Sequence, residues 1–291
     1  MGASGERRKR LLEYPSPAKL DYPSGNYFAI PSSIILSDDV GDKRVTTFSF
    51  FSVRRGLDCK LSFSLNSLVR WAGRKPDRHK NGINSKFIKA VEYMIGEEYL
   101  RVHGNISNSA YADVSFEMSK VSDECNDKRR FAIIYLDELN KILEYKNPNP
   151  KDSFMNSDVV LLVFSYLRMK IFRRRNELLP EEINIDNRND YEYDIKIRRA
   201  SNPEVYSGYY CDVADDLGLT SRAVSKAVDA LSDMKLIYHE SLPRVKHDNE
   251  WKTEHTLFCN FYKREGRNLL AYGEDYYIPE IKRKKDMILN K

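Results

Sequence analysis

Val213–Leu231 reads VADDLGLTSRAVSKAVDAL, and this stretch decides the expected fold. Ala214 is small enough to let one helix approach another, and Gly218 suits a tight turn between them. Thr220 stands at the N-cap position of a second helix. The apolar side chains of that helix recur at helical spacing: Val224, Val228 and Leu231. This order of a short helix, a glycine turn and an amphipathic helix predicts a helix-turn-helix motif.

The opposite face of the second helix is polar and basic. Its side chains are Ser221, Arg222, Ser225, Lys226 and Asp229. On a helix lying in the major groove, such groups reach base edges and phosphates. The alternative interpretation is an ordinary solvated face, because exposed Arg and Lys are common on protein surfaces. The pattern favours contact with double-stranded DNA, and Arg222 is the first candidate.

Two predicted strands, at residues 236–239 and 256–261, follow this helix, and a polar loop joins them. The basic candidates in the loop are Arg244, Lys246 and Lys252. A helix-turn-helix followed by such a hairpin is the winged variant, whose wing contacts the neighbouring backbone or minor groove. His247, His255 and Cys259 lie in the same region, but their irregular spacing argues against zinc, and no metal is predicted.

The same order of elements is predicted earlier in the chain. A buried helix is expected over 45–53, a short helix over 64–73 and an amphipathic helix from Asn84, with strands at 99–103 and 111–118. The exposed face of the amphipathic helix is expected to present Ser85, Lys86, Lys89 and Tyr93. The turn before it holds the predicted phosphate contacts Arg74, Lys75, Arg78 and Lys80. Phosphate contacts add affinity without sequence choice. Simple solvation of the turn is the alternative.

Pro148 and Pro150 mark the predicted domain boundary, because proline resists both helix and central strand. The expected division is a flexible basic arm (1–25), a first winged-helix domain with a connecting strand and helix (26–147), a second winged-helix domain (148–266) and a basic tail (267–291). The fold class is therefore expected to be α+β, mainly helical, with two winged helix-turn-helix domains in tandem.

Three further segments carry predictions of their own. Residues 120–128 are polar and predict a loop, whereas 131–145 predicts a strand passing into a helix. A long helix is expected to begin at Asn156 or Ser157 and to end at the arginines 173–175. Residues 177–194 predict an acidic surface insertion.

The composition fits a soluble globular protein of the cytoplasm. The charged fraction is 31%, the hydrophobic fraction 41% and the formal net charge +5. No apolar run approaches the ~20 residues that span a bilayer. The four cysteines are scattered singly, which favours reduced thiols. Motifs for nucleotide binding, zinc proteolysis and serine hydrolysis are missing from the sequence, so neither an enzyme nor a cofactor is predicted.

With two such modules in series and a bridging strand and helix after the first, the chain resembles the replication initiators of low-copy plasmids and phage-like elements. The resemblance covers residues 27–103 and 154–264. It implies that each module binds part of a repeated origin site and that the pair grips successive major grooves of one duplex. It also implies a homodimer in exchange with monomer, separating autorepression from initiation, and replisome proteins as further partners.

The insertion at 177–194 and the looser first turn depart from the pattern of those initiators. A winged-helix transcriptional regulator is the alternative within DNA binding, because a winged helix contacts DNA in the same way whatever follows. A winged-helix protein-interaction scaffold without DNA binding is the alternative outside it.

Overall fold

The computed structural model describes residues 25–37, 41–77, 79–128, 131–145, 156–171, 205–241, 246–247, 250–251 and 256–260. Along the chain the elements are β1 (Tyr27–Pro31), α1 (Ser32–Ile35), α2 (Lys43–Arg54), β2 (Lys60–Phe63), α3 (Leu65–Trp71), α4 (Ile83–Gly96), β3 (Leu100–His103), β4 (Ala112–Phe116), α5 (Met118–Lys128), β5 (Phe131–Tyr135), α6 (Leu136–Glu144), α7 (Ser157–Lys170), β6 (Val205–Gly208), α8 (Tyr210–Leu217), α9 (Ser221–Asp233), β7 (Ile237–Ser241), β8 (Lys246–His247), β9 (Glu250–Trp251) and β10 (Thr256–Asn260). Helices together with small antiparallel sheets make the fold α+β, as expected.

The chain divides into two compact units. One unit comprises residues 24–169 and 210–234 and therefore contains the elements β1 to β5, most of α7, α8 and α9. The other comprises residues 1–23, 170–209 and 235–291, of which the structure describes mainly two small sheets. This grouping differs from the predicted boundary at 147–148, since α7 and both helices of the second helix pair belong with residues 24–145.

The core of the first unit is built on α2, which is buried along most of its length. Its aromatic side chains pack edge to face with aromatic neighbours outside the helix. The ring centroids of Phe48 and Tyr99 are 5.7 Å apart, and those of Phe51 and Phe63 are 5.0 Å apart. The small polar residues of α2 fit a crowded interior because their hydroxyls bond locally, as Ser49 donates to the Val45 carbonyl at 2.8 Å. The predicted buried helix over 45–53 is confirmed.

A three-stranded antiparallel sheet completes this part of the unit, with β4 between β2 and β3. Its register pairs Phe63 with Ala112, and His103 with Asp113. Consequently, the loop between β3 and β4 emerges at the sheet end where β2 finishes. The two predicted strands of the hairpin are confirmed, whereas β2 was not predicted, because four residues, KLSF, are too few for their alternation of polar and apolar side chains to stand out.

The helix pair of the second module is also as predicted. Helices α8 and α9 pack together, and Val224, Val228 and Leu231 of α9 are buried. In the other unit, β10 lies between β6 and β7 and pairs with both, and the predicted strands at 236–239 and 256–261 are thereby confirmed. The short strands β8 and β9 pair with each other in the segment between β7 and β10.

The prediction of a loop over 120–128 is wrong, because α5 covers these residues. Val121 and Cys125, four residues apart, are the buried positions of this otherwise polar helix. Two apolar contacts are enough to hold a helix against a core in tertiary structure, but they are too few to stand out as a periodic pattern.

The start of the predicted helix after residue 156 is confirmed in α7, which ends at Lys170, and Asn156 caps it by accepting a hydrogen bond from the Asp158 amide at 3.1 Å. Residues 173–175 and the insertion at 177–194 lie outside the described residues, as do the predicted N-terminal arm up to residue 24, the segment 146–155 that contains the predicted boundary, and the C-terminal tail. In the part of the chain that the structure describes, none of the helices has the length and apolar character needed to cross a membrane.

Candidate nucleic-acid interface

Both helix pairs turn at a glycine in the left-handed region, with φ of +72° at Gly73 and +65° at Gly218. After α3 the amide of Arg74 donates to the Val69 carbonyl at 3.0 Å, and after α8 the amide of Leu219 donates to the Ala214 carbonyl at 2.8 Å. These bonds satisfy carbonyls at the helix ends in the same way in both turns. The predicted turn at Gly218 is confirmed.

The helices that follow the turns begin at defined caps. Thr220 Oγ1 accepts a hydrogen bond from the Ala223 amide at 3.2 Å at the start of α9, as predicted. At the start of α4, Asp77 Oδ2 accepts from the Ile83 amide at 3.0 Å, and the Asp77 amide donates to Asn84 Oδ1 at 3.1 Å. A carboxylate in the turn therefore closes the long connection between α3 and α4.

Asn84 joins three segments at this point. Its side chain is buried, and its amide nitrogen donates to Asn66 Oδ1 at 2.9 Å and to Asn108 Oδ1 at 2.7 Å. The backbone reinforces the link, because the amides of Leu65 and Asn66 donate to the carbonyls of Ser107 and Asn108 at 3.0 and 2.9 Å. The loop between β3 and β4 is thus held beside the first residues of α3 and α4.

Most of the predicted contacts of the first module lie at the surface. Lys75, Lys80, Lys86 and Lys89 are exposed, and Ser85 is half-buried. Tyr93 is half-buried, and its hydroxyl lies 3.5 Å from the Ser33 carbonyl, on the side of α4 that faces α1. Burial, the largest cause, raises the pKa of Tyr93. Arg78 lies outside the described residues.

Arg74 differs from its lysine neighbours because it joins a buried polar network. Its Nη2 donates to Asn156 Oδ1 and lies 3.5 Å from Asp158 Oδ2. Asp158 is fully buried and also pairs with Lys43 at 2.8 Å and accepts a hydrogen bond from Thr46 at 2.8 Å. A guanidinium engaged in this way has a structural role at the turn, and whether Arg74 also contacts phosphate stays a prediction.

The second candidate helix presents the face that its sequence indicates. Ser221 and Arg222 in the first turn of α9 are exposed, whereas Ser225 and Lys226 are half-buried. Asp229 is exposed further along the same helix. None of these side chains is packed away in the interior, a condition that contact with DNA requires.

The predicted wing residues of the second module are less defined. Lys246 is part of β8, whose pairing with β9 is described although its side chain is not. Arg244 and Lys252 lie outside the described residues. Whether these three side chains contact DNA stays a prediction.

The two candidate helices share one charge polarity. In α4, Lys86 and Lys89 are exposed in the first half and the exposed acid Glu92 lies later, with exposed Glu97 directly after the helix ends at Gly96. In α9, Arg222 and Lys226 precede the exposed acids Asp229 and Asp233. Because the N-terminal end of a helix also carries the positive end of its dipole, both helices favour an anion at the same end.

A second polar cluster of the first unit joins α1, α5 and the residue before β3. Ser33 Oγ bonds the Tyr99 hydroxyl at 2.8 Å and the Glu124 carboxylate, and Lys120 pairs with Glu124 at 3.3 Å. Burial is the main cause that raises the pKa of Tyr99. Burial and the nearby Glu124 raise the pKa of Cys125 to about 11. The bond between Ser33 and Glu124 ties α1 to α5.

Two residues, Asn84 and Asp158, make long-range bonds that the sequence did not predict. Asn84 was expected to begin a helix, but its link to Asn66 and Asn108 has no local signal, because the partners are 18 and 24 residues away. Asp158 likewise carried no signal beyond a favourable charge at a helix start. In the described part of the chain no three His, Cys, Asp or Glu side chains group closely enough to hold a metal ion, and the side chains of His247 and His255 are outside it.

The comparisons with known proteins assign no family. The chain matches no protein-family model, and a search among curated proteins finds no match to it.

Proposed function

We propose that this protein binds double-stranded DNA sequence-specifically through two winged helix-turn-helix modules. The observation that carries the proposal is a repeated order of elements: α2, β2, α3, α4, β3 and β4 are followed later in the chain by α7, β6, α8, α9, β7 and β10. In both sets the last strand pairs between the other two. This order of helices and strands is that of a winged helix, in which the second helix of the pair enters the major groove.

The charge polarity of α4 and α9 supports a particular orientation. Entry by the N-terminal half would place Lys86 and Lys89, or Arg222 and Lys226, against the duplex. The later acids would then point away from the phosphates, which repel them. The exposed lysines of the turn before α4, Lys75 and Lys80, would extend the contact along the backbone.

Within DNA binding, we propose replication initiation at repeated origin sites of a plasmid or phage-like element, without catalysis or a cofactor. Support comes from the arrangement of two modules in series, which suits two successive major grooves about 10 base pairs apart. Homodimer formation, replisome partners and a cytoplasmic location belong to the same proposal.

A salt series on duplex DNA tests the first step. Wild type, Arg222→Ala and Lys86→Ala/Lys89→Ala are compared by fluorescence anisotropy on a duplex selected from a random pool. Loss of a phosphate contact should reduce the salt slope by about one per residue, whereas loss of a base contact should cost roughly 1–3 kcal/mol on the preferred sequence. Unchanged binding in both variants would show that the proposed contact residues are wrong, and a wild type that binds no duplex would contradict the proposal.

Footprinting on DNA flanking the gene tests the second step. Protection of several direct repeats, each spanning two helical turns or about 20 base pairs, is the outcome expected of an initiator. Protection of one palindrome in a promoter would instead support a transcriptional regulator. A protein that binds no duplex in either experiment would be a protein-interaction scaffold.

A further inference from the structure

The loop of residues 104–111, which joins β3 to β4, has an unusual composition for a surface next to DNA. Its sequence, GNISNSAY, contains no charged residue. The next exposed side chain along β4 is the acidic Asp113, which accepts a hydrogen bond from Ser62. If this loop touches a duplex, it cannot do so by pairing cations with phosphates.

The loop ends in an exposed aromatic ring. Tyr111 is 68% exposed and is one of the three large apolar side chains that stand clearly exposed among the described residues. The backbone before it is fixed, because the Ala110 amide donates to Ser107 Oγ at 2.8 Å. A large amphipathic ring on an ordered loop has little conformational entropy to lose on binding, which suits it to a contact surface.

The position of the loop relative to α4 is set by the bonds through Asn84 and Asn108 described above. The side chain of Tyr111 is therefore carried on a loop that hydrogen bonds at Asn108 join to the start of α4. Since that end of α4 is the one proposed to enter the groove, the loop would lie over the adjacent backbone and minor groove.

We propose that Tyr111 makes an uncharged contact with duplex DNA, packing its ring against the sugars or base edges beside the groove that α4 enters. The inference rests on the proposed DNA binding and adds to it a contact that is independent of counterion release. Contacts of lysine with phosphate weaken steeply with salt, whereas packing of a neutral ring does not.

The test measures affinity and salt slope separately on a selected duplex of about 30 base pairs, roughly three helical turns. Tyr111→Ala is expected to weaken binding about tenfold at every salt concentration, so that the salt slope stays that of wild type. Tyr111→Phe keeps the ring and is expected to bind within about twofold of wild type.

Leu57→Ala is the matched control. Leu57 is fully exposed and precedes β2, and the pairing of Lys60 with Ser115 places that strand start at the sheet end opposite to the loop 104–111. Removing its side chain deletes exposed apolar surface away from the proposed contact and should leave binding unchanged. Thermal melting checks that all three variants fold.

The outcomes separate this inference from the proposed function. Wild-type binding by Tyr111→Ala, together with weakened binding by Lys86→Ala/Lys89→Ala, would overturn the tyrosine contact and leave DNA binding standing. Equal losses in Tyr111→Phe and Tyr111→Ala would overturn the ring contact as well. If Tyr111→Ala, Lys86→Ala/Lys89→Ala and Arg222→Ala all bind like wild type, the proposed contact residues are wrong, whereas a wild type that binds no duplex would overturn the proposed function itself.

Discussion

The Asp158 carboxylate lies 2.8 Å from the Lys43 ammonium, with both side chains buried. The pair joins the start of α7 to the start of α2 across 115 positions of sequence, and Thr46 adds a hydrogen bond to the same carboxylate. A charge withdrawn from water is stable only while its partner and hydrogen bonds remain. This relationship places α7 in the unit built on α2.

Removing one partner of this pair should be costly. Asp158→Ala leaves the buried Lys43 ammonium with the Asp42 carboxylate, 2.8 Å away, but removes its partner in α7, and it is expected to lower the free energy of unfolding by about 1–3 kcal/mol. Urea denaturation followed by circular dichroism measures the loss. The apolar double variant Lys43→Met/Asp158→Leu should be less destabilised than the single variant, and equal destabilisation would contradict a cost that comes from the weakened pairing of the buried ammonium.

Arg74 and Lys75 are neighbours with different expected roles. Arg74→Ala removes the contacts with Asn156 and Asp158 and should lower stability by about 1–3 kcal/mol while leaving the salt slope of DNA binding unchanged. Lys75→Ala should do the opposite, with stability within about 0.5 kcal/mol of wild type and the slope reduced by about one. A reduced salt slope of DNA binding in Arg74→Ala would instead indicate that Arg74 contacts phosphate.

The glycine of the second turn should be intolerant of substitution for a backbone reason alone. An added Cβ at Gly218 meets no atom within 4 Å, but its φ of +65° is strained for any other L residue. Gly218→Ala should therefore destabilise the protein by about 1–2 kcal/mol. Gly96, near the end of α4, has equally open space without a positive φ, and Gly96→Ala should stabilise by up to about 1 kcal/mol.

Asn84→Ala tests the link between the loop 104–111 and α4. The change removes the two hydrogen bonds donated by the Asn84 side chain and leaves the oxygens of Asn66 and Asn108 without that donor. Exchange of the Leu65 and Asn66 amides, which bond the loop backbone, is expected to accelerate. Nuclear magnetic resonance measures the exchange rates of both amides directly. As a control, the amide of Ala227 in the buried face of α9 should keep its wild-type exchange rate.

Stability should decline in alkaline solution. The pKa of Cys125 is raised from 9.0 to about 11 by burial and by Glu124, so the unfolded thiol ionises first as the pH rises. Below pH 9.0 both states are protonated and nothing is lost, whereas between 9.0 and about 11 ionisation favours the unfolded state. Urea denaturation at several pH values should show a shallower decline for Cys125→Ala. The exposed Cys211 provides the control, since Cys211→Ala should decline like wild type.

Short-range signals predicted the helix pairs well. Ser64 and Thr220 begin helices at caps that their own hydroxyls form, and Gly73 and Gly218 end helices because their backbones adopt a positive φ. Each signal acts within about one helical turn, so the chemistry is visible in consecutive residues. The same holds for the basic first half and acidic second half of α4 and α9.

Tertiary structure decided what depends on partners distant in sequence. β2 exists because it pairs with β4, α5 because Val121 and Cys125 are buried, and α7 joins the first unit because Asp158 meets Lys43. The sequence around Arg74 predicts a phosphate contact, yet in the folded chain its guanidinium lies beside the Asp158 carboxylate, 84 positions away. The amino-acid order alone specifies caps, turns and faces, because these rest on neighbouring groups. Long-range packing decides which cations pair with a buried carboxylate and which stay solvated at the surface. The reason is that only the folded chain excludes water from the buried carboxylate.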